Sequence, residues 1–544
     1  MRRRPTAPEW RQEVLRRRVI GCDTSSRPRT SPGTRAHCRG HVPLTLADSI
    51  PLRAPSFEHQ ARSPSAGTAL GGTVRIFLAE ALFLPTGLVT AGYLTRSLGV
   101  TDYGLFTLAV TIVIWVEWSI VSLFARASFK LVAEADDWRP VATTLIRLHL
   151  ATGIAGGLLV AAACIPISIV LKLPEIRPYL LLLALDVPLF VVAAAYRAIL
   201  IGTGDYTRRA WASVARSMAR LILIFALVAA GLSITGAVLA LIGASIADLV
   251  VARGGVRAPL FNGPRVATRP LLGFMVPVAL AAITTRLLDR LDVLLLRALG
   301  ESVATAGLYG AAQNLAIVPA LLSVSAAPVV LATTTRILRD AGLAEARSFA
   351  TQALRGVLLV VPFAALASGS APELVPLIFG GAFAPASQAF SILIYGAVAL
   401  LFVLIASAVL TAVDRPGITF AIVAPLLPIA VAAHVVAIPR WHAPGAAAVT
   451  AGVNACAALL ALVATTRCVG ARPSLGTTLR VAAVSLAAHA AASAWPTPGI
   501  AVALKLIVLA LAVPVVYVLI GEITAAERRL LVAAVTKRFA WRTA

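Results

Sequence analysis

The chain contains few charged and few aromatic residues for its length. Of its 544 residues, 13% are Asp, Glu, Lys or Arg and 6% are Phe, Trp or Tyr, whereas 59% are hydrophobic. Soluble globular proteins carry about 25% charged residues, so this composition excludes the soluble class. The mean hydropathy of +0.88 is that of a chain lying mostly within a membrane.

The sequence also lacks the common signatures of catalysis and metal binding. It contains no Walker A loop, no HExxH and no GxSxG, which excludes ATP hydrolysis by a P-loop in this chain. Its five cysteines form no CxxC pair, and their spacing matches neither a zinc site nor a disulfide framework. We therefore expect a protein that is not an enzyme and that needs no metal or cofactor.

Apolar segments recur from residue 74 to residue 521, each about 18–23 residues long, the length that crosses ~30 Å of hydrocarbon as a helix. They predict an all-α polytopic membrane protein with about 14 transmembrane helices. The net charge of +24 would suit a nucleic-acid partner, but the basic residues lie mainly in alternate connections. This positive-inside pattern excludes nucleic acid as the explanation and places both termini in the cytoplasm. The Arg- and Ala-heavy usage fits a GC-rich bacterium, so we expect the chain in a bacterial cytoplasmic membrane.

Two stretches about 200 residues apart are nearly equivalent. Residues 93–106 read YLTRSLGVTDYGLF, and residues 294–310 read LLLRALGESVATAGLYG. Each has an apolar span, an arginine (Arg96 or Arg297), Leu-Gly, a short polar turn and then Gly-Leu-aromatic. A duplicated helical unit in a bilayer is typical of a transporter with two halves around a central path.

The duplication predicts two six-helix lobes arranged as a parallel repeat, followed by two C-terminal helices. The predicted units are a basic, disordered N-terminal segment (1–72), the N-lobe with spans 1–6 (73–254), a cytoplasmic linker (255–270), the C-lobe with spans 7–12 (271–467), spans 13–14 (468–521) and a basic cytoplasmic tail (522–544).

From residue 73 to residue 470 the sequence resembles the polysaccharide-biosynthesis flippases of the multidrug/oligosaccharidyl-lipid/polysaccharide exporter superfamily, most closely the O-antigen type. The resemblance rests on the LGxxxxGLF and LGxxxxxxGLY units, YRAILIGTGDYTRRAW (196–211), LLDRLDVLLLRALG (287–300) and IFGGAFAPASQAFSILI (378–394). The basic segment 1–72 is not part of the family pattern.

The resemblance implies a flippase that moves a polyprenyl-pyrophosphate-linked oligosaccharide across the membrane by alternating access, for cell-surface polysaccharide assembly. Its partners would be the lipid-linked oligosaccharide, membrane lipids and a glycosyltransferase or polymerase. In the family, spans 1 and 7 line the central cavity.

Ionisable residues at membrane depth are the candidate site, because each costs about 2.5–3.5 kcal/mol at a helix centre and needs a partner or a wet cavity. Guanidinium groups suit a pyrophosphate headgroup, since they stay charged and contact two oxygens at once. The predicted substrate-binding residues are Arg286, Arg290, Arg147, Arg216 and Arg220. Four acids would shape the electrostatic field of the cavity or bind a coupling proton or sodium ion: Glu80, Glu117, Asp289 and Asp292.

Other interpretations of these residues and of the chain remain open. Arg147, Arg197 and Arg216 lie near a membrane boundary and would reach the headgroups by extending along the helix, and Asp248 would pair with Arg253. A second interpretation is that the chain is a multidrug/cation antiporter of the same superfamily. That function needs an acidic cavity. A non-transporting membrane scaffold with this fold is the third alternative.

Overall fold

The computed structural model describes residues 79–80, 82–134, 137–256 and 290–523. All regular secondary structure in these residues is helical, which confirms the predicted all-α class. Several predictions fall on residues outside this description: the segment 1–72, the linker from residue 257, the tail from residue 524, Arg286 and Asp289.

The first helix group comprises α1 (Phe83–Glu134), α2 (Trp138–Val170), α3 (Arg177–Ala184), α4 (Asp186–Gly202), α5 (Tyr206–Leu227) and α6 (Ser233–Gly254). Helix α1 packs on α2, α4, α5 and α6, and α5 packs along α6. Asp137 and Asp205 cap α2 and α5, because each side chain accepts a hydrogen bond from a backbone N–H of the first turn at 3.1 Å.

The second helix group begins with helical residues 290–298. It continues with α7 (Val303–Ala316), α8 (Val318–Asp340), α9 (Leu343–Leu358), α10 (Val361–Gly369), α11 (Ala371–Phe379), α12 (Ala386–Ala412), α13 (Gly417–Val469), α14 (Leu475–Ala494) and α15 (Ala501–Leu519). Helix α12 packs along α8 and α13, while α14 and α15 pack on α10. Ser302 and Ser474 cap α7 and α14 in the same way as the aspartates.

Nine helical segments among the described residues are long and apolar enough to cross a bilayer. Three of them, Phe83–Phe124, Tyr206–Gly254 and Gly417–Val469, have 42, 49 and 53 residues. A single crossing needs about 20 residues, so each is long enough for two. Non-helical backbone at Gly99, Gly231 and His442 breaks these three segments. The predicted count of fourteen crossings stays a prediction.

The duplicated motifs meet each other where α1 packs against α7. Gly104 and Gly307 lie at the crossing, and a methyl group on either would overlap backbone atoms of the opposite helix, Val303 O or Val100 O. Only glycine permits so close an approach. Helix packing therefore explains why both motifs have glycine at this position.

The arginines of the duplicated motifs make reciprocal contacts between the two helix groups. Arg96 in α1 donates to the carbonyl oxygen of Leu377 in α11 at 2.6 Å. Arg297 donates to the carbonyl oxygen of Lys172, which follows α2, at 2.8 Å. The first motif therefore binds the backbone of the second helix group, and the second motif binds the backbone of the first helix group.

A buried lysine fixes the last two helices to α11. Lys505 lies within α15, with 1% of its surface exposed. Its ammonium group binds the carboxylate of Glu373 and donates to the carbonyl oxygens of Ala492 and Trp495 at 2.9 and 3.0 Å. These contacts satisfy the charge that burial would otherwise leave without a partner.

The glycine crossing predicts the effect of a single methyl group. We expect Gly104→Ala to force α1 and α7 apart and to destabilise the protein by about 1–3 kcal/mol, the usual cost of overpacking. Thermal unfolding of the purified protein in detergent measures this. Gly356→Ala in α9 is the control, because its new methyl group meets no atom within 4 Å. Equal unfolding midpoints for both variants would contradict the close crossing.

Lys505→Met leaves the Glu373 carboxylate without its cation and is expected to cost about 3–5 kcal/mol. In the double variant with Glu373→Gln, no uncompensated charge remains, so part of that stability returns. A thermal-unfolding double-mutant cycle measures the coupling. Additive effects of the two substitutions would mean that the pair does not hold α15.

Candidate functional site

A cavity of about 550 Å³ lies among α1, α4, α5 and α6 and is bordered by α7. Apolar side chains form most of its wall, which suits a chamber inside a membrane protein. The charged side chains of the described residues that line it are five arginines and three acids: Arg197, Arg209, Arg216, Arg220, Arg290, Glu80, Glu117 and Asp186.

Glu80 forms an ion pair at one end of the cavity. Its Oε1 accepts from Arg209 Nη2 at 2.7 Å and from the Ser213 hydroxyl at 3.2 Å, and both partners lie on α5. Glu80 was predicted as a cavity acid and does line the cavity, but its charge is already matched by a cation that the sequence did not single out.

Asp248 on α6 joins two of the cavity arginines. Its carboxylate is fully buried, binds Arg197 of α4 directly and lies 3.6 Å from Arg216 of α5. The Arg216 guanidinium also stacks on the Phe190 ring, 4.4 Å from its centroid. The expected pairing of Asp248 with Arg253 is therefore wrong. Arg197 and Arg216 turn toward this carboxylate, and the alternative that they extend to the headgroups is not what the structure shows.

Arg220 differs from these arginines because it has no acidic partner among the described residues. Its Nε and Nη2 atoms are buried and find no hydrogen-bond partner in the described part of the chain. The guanidinium lies over the Phe83 ring, 4.6 Å from its centroid. A cation–π contact holds the group in place and leaves its hydrogen-bond donors available.

Arg290 approaches the cavity from the second helix group. Its Nη2 lies 3.4 Å from Asn314 Oδ1, and the Asn314 amide donates to the Tyr103 hydroxyl of α1 at 3.0 Å. This chain of polar contacts links the two helix groups beside the duplicated motifs. Arg290 thus lines the cavity, as predicted.

Two buried carboxyl groups complete the charged lining. Glu117 of α1 and Asp186 of α4 are 4% and 3% exposed. Glu117 was predicted from its depth, whereas Asp186 was missed, although it is an ionisable residue within the apolar run 178–196 and meets the same criterion. Glu117 Oε1 and Asp186 Oδ1 accept no hydrogen bond from any described residue.

Two predicted residues lie away from the cavity. Asp292 is buried in the second helix group and accepts hydrogen bonds from Tyr309, Gln313 and Thr450 at 2.6–2.9 Å. Its prediction as a cavity acid does not fit this position, because its carboxylate is enclosed by these donors. Arg147 lies in α2 and does not line the cavity.

A second, larger cavity of about 1760 Å³ lies between α9, α12, α13 and α14. Arginines gather at one end of it, around Glu522. Burial alone would raise the pKa of Glu522, but hydrogen bonds from Thr477, Arg355 and Arg480 together lower that pKa below its ordinary value. Glu522 therefore stays ionised and ties α9, α14 and the end of α15 together.

Comparisons with known proteins agree with this architecture. The fold is similar to the solved structure of the lipid II flippase MurJ in an inward closed conformation, with a TM-score of 0.64 and 14% identity over 85% of this chain and 100% of that chain. It is similar to a MOP superfamily transporter from Pyrococcus furiosus (TM-score 0.54, 14% identity, 77% and 96% covered). The Vibrio cholerae MATE transporter VcmN gives a TM-score of 0.52 at 17% identity (74% and 98% covered).

The chain is therefore a multi-pass membrane protein with the fold of these superfamily transporters. Residues 70–334 match the sequence model of the family described as "Polysaccharide biosynthesis protein". This confirms the resemblance that the duplicated motifs predicted. No curated protein matches the chain.

Asp248→Asn tests the charge balance of the site. The substitution leaves Arg197 and Arg216 without their carboxylate, so we expect a loss of about 3–5 kcal/mol in stability. Thermal unfolding in detergent measures it. Asp137→Asn is the matched control, since asparagine caps a helix as well as aspartate does. If both variants unfold at the wild-type temperature, Asp248 does not hold the arginine pair.

Proposed function

We propose that the chain is a flippase that moves a polyprenyl-pyrophosphate-linked oligosaccharide from the inner to the outer leaflet of a bacterial cytoplasmic membrane, for cell-surface polysaccharide assembly. Fourteen crossings, arranged as two six-helix lobes and two C-terminal helices with both termini in the cytoplasm, would rock around the cavity in alternating access. A glycosyltransferase would supply the substrate, and a polymerase would consume the translocated product.

The observation that carries this proposal is the buried guanidinium of Arg220, which has no counter-charge among the described residues. A buried cation without a counter-charge is costly in a protein interior, so its retention points to an anionic ligand. Arg216 lies one turn away on the same helix, at position i−4, and presents a second cation toward the same cavity. Two guanidinium forks at this spacing suit a pyrophosphate, which offers several oxygens to bidentate donors.

The acids of the site have unequal roles in this proposal. Glu80 is matched by Arg209 and serves to hold α5 against the start of α1. Glu117 has no such partner among the described residues, so it is the acid that we propose for ion coupling. The roles of Arg286 and Asp289 in binding and coupling remain proposals for residues outside the described part.

A multidrug/cation antiporter is the second candidate, favoured by the likeness to MATE structures. Cationic drugs need an acidic chamber, whereas arginines outnumber acids among the described residues that line this one. The sign of the surplus charge favours an anionic substrate.

Arg220→Gln is expected to lower flipping of a polyprenyl-pyrophosphate-linked oligosaccharide by about tenfold or more, because a hydrogen bond to a charged group contributes about 1.5–3 kcal/mol. Arg220→Lys keeps the positive charge but loses the two-pronged guanidinium group, so its flipping activity should fall between those of the wild-type protein and Arg220→Gln. Reconstituted proteoliposomes measure flipping through the accessibility of the glycan to an external lectin.

Arg339→Gln is the control for this series, because Arg339 is exposed and pairs only with its neighbour Asp340 among the described residues. It should flip like the wild-type protein. Wild-type flipping by Arg220→Gln, at equal reconstitution, would overturn the assignment. Drug resistance that disappears with Arg220→Gln would favour the antiporter instead.

A further inference from the structure

The second cavity, between α9, α12, α13 and α14, has an apolar wall that opens to the outside of the helix bundle. Helix α14 packs along α10 but makes few contacts with α9, and a space of about 1760 Å³ lies between the helices. Its wall includes Leu358, Phe402, Leu459 and Leu462. Leu459 is 64% exposed, so the wall is accessible from the surrounding membrane. Hydrocarbon chains fill such a space more favourably than water does.

One end of this cavity is cationic. Five arginines and one acid line it within the described residues: Arg347, Arg355, Arg467, Arg472, Arg480 and Glu522. Glu522 forms ion pairs with Arg355 and Arg480 at 2.9 and 3.0 Å. The other three arginines pair with no acid in the described part of the chain. The cavity therefore holds cations that lack a counter-charge there.

These three arginines lie around the end of α13. Gly470 ends that helix with a φ of +76°, and a methyl group on it would lie 3.0 Å from Arg347 Nε. Arg467 precedes this glycine by three residues, and Arg472 follows it by two. The start of α14, capped by Ser474, borders the same cavity and adds the positive end of a helix dipole.

This combination selects a ligand with both a phosphate and hydrocarbon chains. A guanidinium group binds phosphate through two parallel hydrogen bonds and stays charged at physiological pH. Basic pockets between transmembrane helices bind anionic lipid headgroups in this way. A free anion would leave the apolar wall uncovered, whereas a zwitterionic lipid brings its own cation beside the arginines. The volume also exceeds the roughly 300–1,000 Å³ of most small-molecule sites, which suits a lipid with two chains.

We propose that this cavity binds an anionic glycerophospholipid from the leaflet beside Glu522. Arg347, Arg467 and Arg472 hold its phosphate, and its acyl chains lie along the wall that Leu459 and Leu462 form. The bound lipid fills the space between α9 and α14 and so stabilises the second helix group. This inference does not depend on the proposed transport function or on its substrate.

Native mass spectrometry of the purified full chain in detergent tests the wild-type protein first. The protein is titrated with phosphatidylglycerol or with phosphatidylcholine that has the same acyl chains. We expect phosphatidylglycerol to bind about tenfold more tightly, because its headgroup brings no cation to the arginines. Equal affinities would overturn the proposal, and this comparison needs no variant.

Substitutions then separate the headgroup from the chains. Arg347→Gln with Arg472→Gln should lower the affinity for phosphatidylglycerol by about tenfold and leave that for phosphatidylcholine unchanged. Arg336→Gln with Arg339→Gln is the matched control and should bind like the wild-type protein, because both are exposed arginines of α8 that do not line this cavity. Leu462→Gln should weaken the binding of both lipids, since it places an amide in the apolar wall.

Three further results would contradict the proposal. The first is unchanged phosphatidylglycerol binding by the double arginine variant. The second is displacement of phosphatidylglycerol by inorganic phosphate, which would assign the arginines to a free anion. The third is displacement by a polyprenyl phosphate at equal concentration, because the cavity would then belong to a single-chain carrier lipid. A negative result in the flipping assay does not affect these binding measurements.

Discussion

The close crossing of α1 and α7 at Gly104 and Gly307 is the contact on which the rest of the described structure depends. It brings two backbones together within the membrane-spanning part of the chain, where small residues are the usual means of close helix approach. Arg96 and Arg297 extend the contact reciprocally to the opposite helix group. Tyr103, next to the crossing, already lines the cavity. The first of the duplicated motifs therefore contributes directly to the wall of the chamber.

Some of the arginines that line the chamber are paired with acids and others are not. Asp248 and Glu80 compensate arginines on α4 and α5, so these charges position side chains and leave little net field. Arg220 has no acidic partner among the described residues, and its guanidinium group lies over the Phe83 ring. Among the described residues that line the cavity, Arg220 and Arg290 have no acidic partner, whereas Arg197, Arg209 and Arg216 each lie beside a carboxylate.

The sequence predicted the helical class and the membrane location, because both depend on composition and segment length. Of the ionisable residues predicted at membrane depth, Glu80, Glu117, Arg216 and Arg220 line the chamber. Sequence position alone could not show which way a side chain faces, and Asp292 turned out to be enclosed by donors from α7 and α13. Nor could it pair Arg197 with Asp248, since that contact joins positions 51 residues apart on different helices.

The most direct test of the account is an electron cryo-microscopy structure of the full chain in nanodiscs that contain a polyprenyl-pyrophosphate-linked oligosaccharide. The account predicts headgroup density within the cavity, in contact with the guanidinium groups of Arg216 and Arg220. Density for the headgroup elsewhere on the protein, with Arg220 facing an empty chamber, would contradict it.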